Sequence, residues 1–457
     1  MDKAKSLGEA PVSSLIWKFS VPVIVGNIVN ALYNVVDSIF VGHGVGEIGL
    51  AAVTIAFPLM IILMAVGMFV GAGASALVSI RLGEQKLAEA EQILGNALML
   101  IIVLVILSTG TALWFLDPLL IKLGATPDVL PYTHDFMSVI LWGSVFLHIG
   151  FGLNGIIQAQ GDPRTALKTM LISALLNIIL NPLFIFGLHL GIKGSALATV
   201  IAQAVAASWV LLYFSRGLGT LKLRVKNLVL RWRIILGIAK IGVSIFLMQI
   251  SNSVVMLLIN NSLIVYGGAV AVASFGIINR ITMLLLMPVL GITQGAQPII
   301  GYNFGARQYE RVVQSLKIAL TVATGICIGG FILVQVFAAE VILLFNGGPE
   351  MVKVGTDGLR TFLLMLPLIS LPTVGGNYFQ AVGKAGYSIV LNLLRQVILL
   401  IPLVLLLPRF FGLQGVWMAA PFSDFTAAAV TGIFLLSELK KLKNKQPDLA
   451  QENSGEG

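Results

Sequence analysis

Long apolar stretches separated by short polar joints run through almost the whole 457-residue chain. A helix needs about 20 apolar residues to cross a hydrocarbon core of ~30 Å. Cutting the charge-poor stretches at Gly, Pro and polar turns predicts twelve spans, at 19–42, 50–80, 93–116, 134–159, 169–188, 194–215, 241–264, 270–300, 318–345, 361–382, 387–407 and 413–437. The stretch 241–279 carries no charge, and its division is placed at Tyr266-Gly267-Gly268 because paired glycines favour a turn. Pro22, Pro58, Pro182, Pro288, Pro372 and Pro421 lie within or beside spans, where proline bends a helix and leaves a carbonyl without its donor. Met1–Ser14 is polar, and no small-residue cleavage site follows the first apolar stretch, so span one is expected to be a true helix rather than a signal.

Composition narrows the class. The chain is 57% hydrophobic and 11% charged, against roughly 25% charged in an average soluble protein. A soluble enzyme, a disordered tail and a disulfide scaffold are excluded together; the one cysteine, Cys327, lies in an apolar run and allows no intrachain disulfide. The net charge of +9 is explained by position rather than by a polyanion, so no nucleic-acid partner is expected. Most Lys and Arg fall on the side of the N-terminus, which places both termini in the cytoplasm of a multi-pass protein of the cell membrane. The densest basic stretch, Arg216 to Lys240, contains no acid and reads as a solvated linker, or alternatively as a contact for anionic lipid. The expected organisation is an amino-terminal six-helix bundle (1–215), a basic linker (216–240), a second six-helix bundle (241–439) and a polar tail (440–457).

The chain also matches itself. Gly73-Ala74 and Gly83 fall on Gly295-Ala296 and Gly305 at an offset of 222 residues, and Gln158-Ala159 and Gly161 fall on Gln380-Ala381 and Gly383. One residue less brings Gly191 and Gly194 onto Gly412 and Gly415. Six spans, an even number, fit within the offset, so the halves share one membrane orientation, as parallel repeats of transporters do. A ligand path between two such bundles is the natural consequence.

Ionisable residues within spans are costly and mark function by default. Asp37 is the one carboxylate between Lys18 and Glu47, and Tyr33 and Asn34 share its helical face. Span five carries Asn177 and Asn181, four apart, followed by Pro182, which frees a carbonyl. These are hard oxygen ligands suited to a small cation, although amides also serve as packing glue between helices. Thr199 and Gln203 offer a matching face on span six. A possible Na+ or proton site therefore comprises Asp37, Asn177, Asn181 and Thr199, with Tyr33, Asn34 and Gln203 in support. Met60, Met64 and Met68, with Asn154 and Gln158, are candidates for a substrate cavity, since methionine adapts to varied apolar ligands; plain core packing is the other reading of the methionines. His148, Arg280, Arg395 and Asp424 are the remaining ionisable groups in spans, with interhelical ion pairing expected in the second half. No nucleotide loop, Cys/His cluster or nucleophile triad is present, so the chain is not expected to be an enzyme, and active transport would draw on an ion gradient.

Tyr33-Asn34-Val35-Val36-Asp37-Ser38-Ile39-Phe40-Val41-Gly42, QAQGDPRTAL from Gln158, LNIILNPLFIFG from Leu176 and GAQPIIGYNFGAR from Gly295 resemble the multidrug and toxic compound extrusion (MATE) family, most closely its DinF/MepA-like branch. The resemblance covers almost the whole chain. It implies an all-α, twelve-helix, V-shaped exporter of amphipathic, often cationic drugs, embedded in membrane lipid, monomeric, without a cofactor, and driven by inward H+ or Na+. Carried over by position, Asp37 matches the coupling aspartate of span one, Asn177 the asparagine of span five and Thr199 the threonine of span six. Asn181 stands where several relatives of the branch have aspartate, which leaves a single titratable group. Acids used elsewhere in the family in spans seven and ten are absent from 241–264 and 361–382.

Two other readings stand beside multidrug antiport. A lipid or lipid-linked saccharide flippase would need basic residues in its cavity, for which Arg280 and Arg395 are available. A receptor or scaffold would leave Asp37 and the intramembrane amides without a purpose.

Overall fold

The computed structural model describes residues 3–345 and 348–454, and among them regular structure is helical throughout, with no strand. Among the described residues nine helices are long and apolar enough to cross a membrane, and a bent pair, Pro349–Phe362 with Leu366–Ala381, makes a tenth. Two of these helices are double. Trp232–Gly305 is broken by Gly268, at φ 65°, and Ile401–Ser454 by Gly412, at φ 57°. Divided there, the described residues make twelve crossings, and both breaks fall at the joints expected from the sequence. The tenth span is the exception: it was expected as one helix over 361–382, but the chain bends by 49° between its two pieces. Leu366–Ala381 alone, at 16 residues, reaches only about 24 Å. The tail expected at 440–457 continues the last helix as far as Ser454, and its final residues lie outside those described.

The duplication is written into the backbone. Left-handed residues recur at the repeat offset: Gly46 with Gly268, Gln85 with Arg307, Gly161 with Gly383, and, one residue closer, Gly191 with Gly412. All four pairs fall in joints expected between spans, but at Gln85 and Arg307 the left-handed conformation itself was not legible, because neither residue is glycine. Both close a helix by the same pair of bonds. Lys86 N–H reaches the Arg81 carbonyl at 2.9 Å as Gln85 N–H reaches Leu82 at 3.1 Å, and Gln308 reaches Asn303 at 2.8 Å as Arg307 reaches Phe304 at 3.1 Å. Such a cap supplies donors to carbonyls that a helix end leaves unpaired.

The chain folds as two compact units, one of Met1–Glu9 and Pro22–Gln249, the other of Ala10–Val21 and Ile250–Gly457. This division differs from the expected boundaries at 215 and 241, since each unit takes in the beginning of the other repeat's first helix. Glycines explain the difference. In the first unit a Cβ on Gly242 would lie 1.9 Å from the Phe69 carbonyl oxygen, and one on Gly73 would lie 2.1 Å from that of Ile238. In the second unit a Cβ on Gly295, the repeat partner of Gly73, would lie 2.7 Å from the Ser20 nitrogen. Backbone meets backbone at these points, and only hydrogen in place of a side chain permits it. Within the first unit the fourth span packs along the second, third and sixth; within the second, Leu366–Ala381 packs against Tyr309–Leu343 and Ile401–Ser454.

The stretch 216–231, exposed over most of its length, is anchored to the first unit at several points. Leu221 donates its N–H to Gln160 Oε1 at 2.9 Å, Arg231 N–H reaches Asn96 Oδ1 at 2.6 Å, and Arg224 pairs with the buried Glu91 at 2.7 Å. Next to it, Asp162 caps the fifth span and gathers Lys3 Nζ at 2.6 Å, the Thr165 hydroxyl at 2.8 Å and N–H at 3.2 Å, and the Tyr213 hydroxyl at 3.0 Å. Burial by itself would raise the Asp162 pKa, but the Lys3 ammonium and these hydrogen bonds outweigh it, so the carboxyl is held below the usual carboxylate range.

A carboxyl depressed in the folded state stabilises above its unfolded pKa and loses that contribution as pH falls through the folded value. Asp162→Asn is therefore expected to lower the stability of the detergent-solubilised protein by about 2 kcal/mol near neutrality, with the gap to wild type closing below about pH 4; thermal unfolding of both across pH checks this. Gly73→Ala and Gly242→Ala should each lower the yield of monodisperse protein, the overpacking penalty being about 1–3 kcal/mol. Gly325→Ala, where a Cβ meets nothing within 4 Å, should leave it unchanged, as size-exclusion profiles will show.

Candidate ion site and its setting

Three helices of the first unit bring the intramembrane polar residues together. Asp37 sits on Val12–Val45, Asn177 and Asn181 on Pro163–Pro182, and Thr199 on Gly191–Ser215. Pro182 ends the regular part of the fifth span, and Leu183–Gly187 follows as a π-turn. The sixth span then begins against that turn, because a Cβ on Gly194 would lie 2.9 Å from the Phe184 backbone. The small residue thus sets the fifth and sixth spans close enough for their side chains to bond.

Asp37 Oδ1 accepts hydrogen bonds from Asn181 Nδ2 and from the Ser195 hydroxyl, the latter at 3.1 Å. Asn177 Nδ2 donates to Thr199 Oγ1 at 2.9 Å, and Tyr33 lies beside Thr199 and Asp37. Both amides thus spend their nitrogens on oxygen acceptors. Their oxygens, Asn177 Oδ1 and Asn181 Oδ1, are buried and have no hydrogen-bond partner. A buried polar atom without a partner costs about 1–3 kcal/mol, so a pair of such oxygens beside a carboxylate is an arrangement that a small cation would relieve. No cluster of three His, Cys, Asp or Glu side chains occurs among the described residues, so the ligand chemistry here is that of one carboxylate with amide and hydroxyl oxygens.

Of the residues expected here, Asp37, Asn177, Asn181, Thr199 and Tyr33 converge. Asn34 does not: its amide turns back to the Asn30 carbonyl at 2.7 Å, the outlet that a helix offers to a side chain with no neighbour across the gap. Gln203 is half-buried and is not drawn into the group. Met60 and Met64 pack against the apolar core around Leu59, Leu63 and Leu141, while Met68 is half-buried further along the helix. Asn154 bridges to the Ala166 carbonyl at 3.2 Å, joining the fourth span to the fifth, and Gln158 is half-buried one turn on. Ser195 was missed by sequence reasoning, although it precedes Thr199 by four residues and so shares its helical face.

The other ionisable residues separate cleanly. His148 is buried, with Nδ1 2.6 Å from the Ser144 carbonyl. Arg395 Nε and Asp424 Oδ1 form the expected interhelical pair, at 2.5 Å. Arg280 is exposed and joins no ion pair among the described residues.

Repeated six-span units and an intramembrane carboxylate held by an amide and a hydroxyl have the form of a polytopic membrane transporter. The MatE family model matches residues 22–183 and 241–406, one stretch in each half. The chain belongs to this family, the MATE transporters. It is 28% identical over 432 residues to the multidrug export protein MepA of Staphylococcus haemolyticus (strain JCSC1435), covering 94% of this chain and 95% of that protein. MepA of Staphylococcus aureus (strain MRSA252) is also 28% identical, over 440 residues. Among solved structures, a MATE crystal structure in the bent conformation superposes with a TM-score of 0.92 at 26% identity, covering 97% of this chain and 99% of that one. The outward-facing conformation of a multidrug resistance MATE transporter of the MOP superfamily gives 0.89 at 26% identity, covering 96% and 98%.

Proposed function

We propose that this protein is a multidrug antiporter of the cell membrane, with both termini cytoplasmic, that exports amphipathic, often cationic compounds in exchange for inward H+ or Na+. Asp37 is its coupling carboxylate. The observation that carries this reading is the pair of unpartnered buried oxygens, Asn177 Oδ1 and Asn181 Oδ1, beside a carboxylate that already accepts from Asn181 and Ser195. The relatives named as multidrug export proteins supply the substrate class.

The coupling follows from charge. With Asp37 ionised, the region carries a negative charge that attracts a cationic substrate. A proton or Na+ on the carboxylate removes that attraction and, in the Na+ case, draws the two amide oxygens toward the ion. An ion shifts a conformational equilibrium only through a difference in affinity between the two states. Here that difference lies in how closely the first span approaches the fifth and sixth, because the ligands are divided between Val12–Val45 and the helices Pro163–Pro182 and Gly191–Ser215. Pro22, inside the first helix, supplies a point where its hydrogen-bond ladder is already interrupted.

Asp37→Asn is expected to abolish drug resistance in an efflux-deficient host while the protein is still made and inserted; full resistance in that variant would falsify the reading. Ser195→Ala and Asn181→Ala each remove one hydrogen bond to the carboxylate, so ion-driven efflux from proteoliposomes should fall roughly tenfold, the equivalent of about 1.4 kcal/mol. Running the same proteoliposomes under separate pH and Na+ gradients names the ion, and efflux driven by neither would sink the antiport mechanism.

A further inference from the structure

The second unit carries a polar cluster for which the Asp37 site has no use. Arg395 lies on the eleventh span, eleven residues beyond Lys384 and fourteen before Arg409. At 1.5 Å per residue it stands about 16 Å and about 21 Å from those ends, near the middle of the hydrocarbon. Asp424, on the twelfth span and with only 3% of its side chain exposed, accepts from Arg395 Nε at 2.5 Å. The Ser423 hydroxyl donates to the Arg395 carbonyl at 2.6 Å. That carbonyl belongs to a π-helical stretch, Leu394–Leu400, set between the regular helices Ala385–Leu393 and Ile401–Ser454. The next residue, Gln396, donates its amide to Asn252 Oδ1 on the seventh span.

The geometry of the guanidinium is informative. Asp424 holds it from the side, at Nε, so the outer edge with its two terminal nitrogens is not taken up by this pair. The Arg395 side chain is 28% exposed. Exposure of a guanidinium to lipid at this depth costs several kcal/mol, and such groups face water-filled cavities or partners instead. A planar fork of N–H donors, braced by a buried carboxylate and flanked by amides, is complementary to a carboxylate, which it grips through two parallel hydrogen bonds. Bending into a π-turn at this point matches the use of such turns at functional sites.

We propose that Arg395, oriented by Asp424 and bordered by Gln396 and Asn252, is a recognition site for the carboxylate of a zwitterionic amphiphile carried by the transporter. It rests on the efflux reading above and extends it. The efflux reading supplies the cation of such a substrate, and the Arg395 site adds a requirement of its own, a carboxylate. Asp424 is a positioning residue: it fixes which edge of the guanidinium faces outward and neutralises the charge when no substrate is bound.

The test uses the full-length protein in vesicles of zwitterionic lipid, with two rhodamines that share one xanthylium cation, one bearing a free carboxylate and the other its methyl ester. Wild type should export both. Removing Arg395 alone would strand a buried carboxylate, so the main variant is Arg395→Gln with Asp424→Asn, which removes both charges together. The ratio of carboxylate to ester export should fall at least tenfold in that variant. Arg395→Lys, which keeps the charge but loses the fork, should lower the ratio to an intermediate value. An unchanged ratio in the double variant overturns the proposal while leaving the antiporter reading intact, and so does a wild type that exports the ester but not the free acid. Export of neither dye by wild type overturns the efflux reading itself, and this proposal with it.

Discussion

Hydrocarbon offers a backbone amide no water to fall back on, and this one constraint shapes the chain from its joints to its sites. Each crossing has to be a helix, because a helix satisfies its own N–H and C=O groups. The places that break the pattern then carry special provision. Left-handed residues end helices at matching positions of the two repeats and return donors to open carbonyls. The two π-turns, Leu183–Gly187 and Leu394–Leu400, stand beside the polar clusters of the first and second units.

The same constraint separates structural polar groups from functional ones. Thr109 and Ser144 bond to each other at 2.7 Å, as do Thr324 and Ser370 at 2.8 Å; these pairs bind helices together and are satisfied. Asn177 and Asn181 are different, since each spends its nitrogen and leaves its oxygen buried without a donor. Arg395 differs again, held on one side and open on the other. Nearly identical backbone joints therefore support different chemistry in the two halves: the 222-residue offset sets Asp37 opposite Ile259, and the 221-residue offset of the last span sets Asp424 opposite the neutral Gln203. Duplication preserved the scaffold and let the sites diverge.

Close packing between helices sets the positions of the sites. Association within a membrane lacks the hydrophobic drive available in water and relies on van der Waals fit, so small residues mark the closest approaches. Gly194 brings the sixth span onto the turn after the fifth, and with it Ser195 and Thr199 toward Asp37 and Asn177. Gly73 and Gly295, conspicuous in the sequence as a repeat, prove to be equivalent backbone contacts in the two units.

Much of this could be read along the chain. The length of apolar runs determined the twelve crossings, a glycine pair located the break at Gly268 and the joint between 407 and 413 the one at Gly412, and the scarcity of charge exposed Asp37, because each of these is a local property of composition. The amides of the fifth span were legible for the same reason, being four residues apart on one face. What the sequence left open is everything that depends on a neighbour from elsewhere. Asn34 lies beside Asp37 on the helix surface yet bonds to its own backbone, while Ser195, 158 residues distant, reaches the carboxylate. The bend before Leu366, the exchange of helix beginnings between units and the anchoring of 216–231 onto Glu91, Asn96 and Gln160 likewise depend on contacts between distant segments. Periodicity states which residues share a face; only packing in three dimensions decides what that face meets.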